Sequence, residues 1–129
     1  MNRDKEFEQL YNRAWAAGVA AATATRPATM VIGTPTAPFG NEIDYAKQIF
    51  VETEGCCGFA WVKIRPAGSA FGRWLKRTGK VRGVAYTGGY DIWIHDYNQS
   101  LARKEAHADA MAKVFTEAGI TAYGQGRMD

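Results

Sequence analysis

Residues 86–105, read as YTGGYDIWIHDYNQSLARKE, constrain this chain more than any other stretch. Gly88-Gly89 stands between two runs of strand-forming residues, 81–87 and 90–95. A two-residue hairpin loop needs positive φ, which glycine adopts without steric cost, so the pair predicts an antiparallel hairpin. The polar corner Asn98-Gln99-Ser100 follows, and then a helical pattern with Leu101, Ala108, Met111, Val114, Phe115 and Ala118 on one stripe. Asn98 or Ser100 is the expected cap of that helix and Gly119 its expected stop.

Upstream, FAWVKIR (59–65) alternates strictly, as a strand does when one face is buried. Pro66 ends it. Ser69 is placed to cap a helix with Phe71, Trp74 and Leu75 on its apolar stripe, closed near Gly79. Arg73, Lys76, Arg77 and Lys80 form its basic face. Residues 120–124 supply a last strand. The order over 58–124 is thus β-α-β-β-α-β, which predicts an α+β, ferredoxin-like sandwich. Its four-stranded antiparallel sheet would carry both helices on one face, with 59–65 and 90–95 as the central pair.

The N-terminal third reads differently. Residues 4–24 have apolar side chains at three- and four-residue spacing and many alanines, which predicts a helix capped by Asn2 or Asp4 and ended by Pro27. Gly18 reads as a weak point in its last turns. A short strand is expected at 29–33 and a Pro/Gly-rich loop at 34–40. Residues 41–54 form a long connection in which Ile49-Phe50-Val51 fits an extended segment. Residues 1–54 are therefore expected to pack, as helix and connection, on a core formed by 55–129.

Charge is unevenly spread. Residues 55–90 hold seven basic side chains and no acidic one, whereas the segments on either side are net acidic. A block of one sign attracts nucleotides, polyanions or acidic protein surfaces, although a solvated helix face has the same composition. On the proposed sheet, Ala60, Val62, Ile64, Ile92 and Ile94 would face the helices. The other face would hold Phe59, Trp61, Lys63, Arg65, Asp91, Trp93 and His95. Aromatics among cations suit base stacking and phosphate binding. An apolar patch of this size is more often covered, so Trp61 and Trp93 are expected to lie under the N-terminal helix or a second copy of the chain.

Several functions find no support in the residues. Cys56 and Cys57 are adjacent, a poor geometry for a mutual disulfide, and no second pair completes a metal site. His95-Asp96 has no nucleophile at a diagnostic spacing, and His107 reads as a helix-surface residue. The glycines of 119–126 lack the Lys-Ser/Thr ending of a phosphate loop. No catalytic residue, metal or cofactor is assigned. The longest apolar stretch, 14–24, is too short to span a bilayer, and no charged leader precedes it, so a soluble cytoplasmic protein without a membrane partner is expected.

The runs CGFAWVKIRPAGSAFGRWLK, YTGGYDIWIHDYNQSLARKEAHADAMAKVF and AGITAYGQGRMD resemble a group of small proteins of tailed bacteriophages and prophages. The likeness spans roughly 57–129, with an echo in PATMVIG (27–33). It implies a setting, the bacterial host cytoplasm during infection, where small accessory proteins counter host defences. They do so by sequestering a nucleotide signal or by gripping a host protein. The motif positions without an obvious core role are Tyr90, Asn98, Gln99, Ser100, Lys104, Tyr123 and Arg127. With Arg103 they make a candidate anion site at the start of the last helix. The expected protein is a non-enzymatic, self-associating binder of a nucleotide-like anion. Docking on a host protein and nucleic-acid binding are the alternatives.

Overall fold

The computed structural model describes residues 2–38, 40 and 42–129; Phe39 and Asn41 of the expected loop and connection, and the side chain of Asn2, lie outside the described residues. The elements are α1 (Asn2–Ala24), β1 (Met30–Ile32), β2 (Phe50–Glu52), β3 (Gly58–Arg65), α2 (Ala70–Arg77), β4 (Tyr90–Trp93), α3 (Leu101–Glu117) and β5 (Thr121–Met128). β1 and β2 form an antiparallel ribbon, and β4-β3-β5 an antiparallel sheet with β3 in the middle. The fold is mixed α+β.

The alternation read in β3 is the one that builds the core. Ala60, Val62 and Ile64 are fully buried, and Ile92 and Ile94 join them beneath α2 and α3. Ser69 caps α2 by accepting the Gly72 N–H at 3.0 Å, and Phe71, Trp74 and Leu75 point inward. α1 forms an outer layer. It packs along α3 and meets α2 through Phe7, whose ring lies 5.2 Å from Phe71, and Tyr11, 6.0 Å from Trp74. Arg77 on α2 is tied to Asp4 on α1 at 2.8 Å. This pair is solvent-exposed and contributes little to stability.

Two expectations about the sheet are corrected. Residues 81–87 are not a strand. The Thr78 and Lys80 N–H groups close α2 on Trp74 O and Leu75 O. The chain then folds on itself, Gly88 N–H donating to Ala85 O at 2.8 Å and Ala85 N–H to Gly89 O at 2.9 Å. Side chains of β3 hold this turn: Lys63 Nζ donates to Gly88 O at 2.6 Å, and Arg65 to Thr87 O at 3.0 Å. The turn is thus fastened to β3 by two cations, and among the described residues β4 keeps a free edge.

The last strand runs past its expected end at residue 124 to Met128 and takes in Gly124 and Gly126. They are glycines for a packing reason. A Cβ at Gly124 would lie within 3.1 Å of the Asp109 backbone, and one at Gly126 within 2.8 Å of Glu105 Cγ. α3 thus comes close to β5 where side chains are absent or small, at Gly124, Gly126 and the buried Ala122.

Candidate ligand-binding face

The site starts from the pairing of β3 with β4. Trp61 lies opposite Trp93, and Lys63 opposite Asp91. Ile94 N–H donates to Ala60 O at 3.0 Å, which fixes the alternation of the ladder and makes Trp61/Trp93 a non-hydrogen-bonded pair. Side chains approach closest at such pairs. The two indoles accordingly lie 4.8 Å apart, centroid to centroid, at 41°. Trp61 is held further by Gln125 of β5, whose Oε1 accepts its indole N–H at 2.7 Å.

This face is not covered by α1, the first of the two covers expected for Trp61 and Trp93. α1 lies on the helix layer, on the other side of the sheet, and Trp93 keeps 41% of its surface. Tyr123, on the same face, keeps 51%. Lys63 is buried here by the 85–89 turn and sits 2.9 Å from Asp91 Oδ1, so the pair itself adds no net charge to the face. A groove of about 690 Å³ runs from Trp61, Trp93 and Arg127 past the free edge of β4 to Lys80 and Arg82, with Tyr11 and Trp15 of α1 at its far wall. Its charged lining comprises three cations, Lys80, Arg82 and Arg127, and a single carboxylate, Asp91. The free edge is polar as well. The ladder turns the backbone groups of Asp91 and Trp93 outward, and among the described residues no backbone group bonds to them.

The residues that the sequence gathered at the start of α3 are divided by the structure. Ser100 is the cap, accepting from Arg103 N–H at 3.4 Å, and its hydroxyl donates to Glu54 O at 3.2 Å. Arg103 is engaged with Glu54 Oε1 at 2.6 Å and Ala22 O at 2.8 Å. Lys104 is only 5% exposed; its ammonium donates to Gly58 O at 3.2 Å and lies over the Phe59 ring. The Leu101 N–H donates to Cys56 O at 3.0 Å. A chain segment from 54–58 thus sits where an anion would approach the helix. Tyr90 is in the core at 8% exposure, on the helix side of the sheet.

Asn98 and Gln99 are exposed. Asn98 follows Tyr97 in a corner where both have positive φ, 70° and 53° for Tyr97 and Asn98 in turn. Asn tolerates that conformation better than most residues, which accounts for Asn98 without a ligand. Only Tyr123 and Arg127 of the original set reach the open face. The guanidinium of Arg127 lies 5.3 Å from the Phe59 centroid. Of the expected basic helix face, Arg73 and Lys76 are exposed on α2 and Arg77 pairs with Asp4, whereas Lys80 lies beyond the end of α2 and over Tyr11.

Among the described residues no cluster of His, Cys, Asp or Glu is arranged to hold a metal ion, and no helix is long and apolar enough to cross a membrane. Cys56 and Cys57 are both free and exposed. These features define a mixed α+β protein with an antiparallel sheet packed on helices on one side and open on the other. No family model, curated protein or solved structure matches the chain.

Proposed function

We propose that this protein is a non-enzymatic binder of an anionic, base-bearing ligand, a nucleotide or nucleotide-like molecule, held on the open face of the β4-β3-β5 sheet. The observation that carries this reading is the Trp61/Trp93 pair, half-buried Trp61 pinned by Gln125 and Trp93 exposed, bordered by Arg82 and Arg127. A planar base stacks on an indole, and the cations beside it meet the phosphate. Holding the indole in place beforehand lowers the ordering cost of binding. The resemblance of 57–129 to phage proteins gives the reading its setting: capture of a nucleotide signal of a host defence.

The test is a nucleotide panel read by thermal shift and calorimetry, on the parent protein, Trp93→Ala, and a charge-reversed Arg73→Glu/Lys76→Glu variant. The expected result is that Trp93→Ala weakens binding about tenfold or more, in line with the worth of one base–aromatic stack. The helix variant should bind as the parent does. The reverse pattern would place the site on the basic face of α2 and replace this reading with docking on an acidic protein surface.

A further inference from the structure

The groove has charge in more places than a single phosphate group can reach. Arg127 stands on β5, on one side of the tryptophan pair. Lys80 and Arg82 stand on the other side, beyond the free edge of β4. From β5 to that edge are two inter-strand spacings, roughly 10 Å, and of the second pair Lys80 lies over the Tyr11 ring of α1. One phosphate group cannot meet both sets. A chain of nucleotides crossing the strands can, with a phosphate near each set and bases over the indoles between them.

We infer that the ligand is a single-stranded nucleic acid lying across β5, β3 and β4, an inference that rests on the open-face reading above. Four observations converge on it. Tyr123 stands exposed on the same face as Trp93 and Trp61, two positions along β5 from the residue opposite Trp61, so more than one base has a ring to stack on. The cations flank this surface instead of clustering at one point. The outward backbone groups of Asp91 and Trp93 offer hydrogen bonds to base edges or sugar hydroxyls at the crossing point. Finally, stacking on an indole requires a base free of its own partners, which a duplex does not offer.

Fluorescence anisotropy with 5′-labelled oligonucleotides of one, two, four and eight residues tests this, with DNA and RNA series and a duplex of the eight-residue sequence. The expected result is an affinity gain of about tenfold or more from one residue to four, and weaker binding of the duplex. Arg82→Ala and Arg127→Ala should each reduce the slope of log K against log salt by about 0.7 for the four-residue strand. Tighter binding of RNA than DNA would assign the outward backbone groups to the 2′-hydroxyl; equal binding would assign them to base edges. A mononucleotide that binds as tightly as the four-residue strand, or an equally bound duplex, overturns the single-strand inference and leaves the nucleotide reading standing. No binding at any length, or full binding by Trp93→Ala at every length, removes both.

Discussion

Gly18 of α1 lies directly against the imidazole of His107 on α3: a Cβ placed on Gly18 would come within 2.4 Å of His107 Cδ2. His107 is fully buried, not on the helix surface as its alanine-rich surroundings suggest. Its Nδ1 is 2.7 Å from the Tyr97 hydroxyl, its ring packs edge-on to Trp15 at 4.4 Å, and its Nε2 has no hydrogen-bond partner among the described residues. One imidazole therefore joins α1, α3 and the corner after β4.

Gly18→Ala should destabilise the protein, even though alanine exceeds glycine in helix propensity by about 1 kcal/mol. The added methyl group has no room beside a buried ring, and overpacking of this kind costs about 1–3 kcal/mol. Urea denaturation compares the variants directly. A Gly18→Ala protein more stable than the parent would show that α1 can slide away from α3 at little cost.

Burial holds the His107 imidazole below its ordinary value of 6.5, with Asp96 pulling weakly the other way. The folded protein thus binds fewer protons here than the unfolded chain. The contribution of this residue to stability is complete above the unfolded value and declines as pH falls from there towards the folded value. Thermal midpoints should drop between pH 7.5 and pH 5.5, and His107→Gln should flatten that dependence. Asp109, raised by burial beside Gly124, acts in the opposite sense and only in the more acidic carboxylate range. A parent midpoint that is level over the upper range would contradict the neutral, buried imidazole.

The two hairpin glycines should respond unequally. Both have positive φ, 90° at Gly88 and 69° at Gly89. A Cβ on Gly89 would stand 2.5 Å from Ile64 O, whereas one on Gly88 meets only Arg65 Nη2 at 4.0 Å. Gly88→Ala carries the conformational cost alone, about 1–2 kcal/mol. Gly89→Ala adds a clash with the β3 backbone and should lower the midpoint further. Equal effects would mean that the turn, not its seat on β3, sets the cost.

Lys104→Ala should lower stability, by about 1–3 kcal/mol, because it removes the buried ammonium that serves Gly58 O. Arg127→Ala, at an exposed position, should leave the denaturation midpoint within about 0.5 kcal/mol of the parent. Chemical denaturation of the two variants side by side checks this. A parent-like Lys104→Ala would return that lysine to the candidate ligand residues.

Local sequence determined much of this protein. The period-two pattern of FAWVKIR placed Ala60, Val62 and Ile64 in the core, and with them Trp61 on the opposite face, since a strand offers only two sides. Ser69 and Ser100 capped helices at the positions their residue type and context indicate. What tertiary structure alone decided are the matters of competition between distant groups. Residues 81–87 have strand-forming composition, but the chain turns back on itself through Ala85, Gly88 and Gly89 and is held to β3 by Lys63 and Arg65, and the edge of β4 stays open. Lys104 and Arg103 look like anion ligands in sequence, yet their charges are spent on Gly58, Glu54 and Ala22, which the chain brings back from 46 to 81 positions away. Gly18, Gly124 and Gly126 look like weak points in a helix and a strand, and each instead makes room for a side chain or backbone of α3. A linear pattern reports which face a residue occupies; which partner reaches it first is settled only when the elements pack.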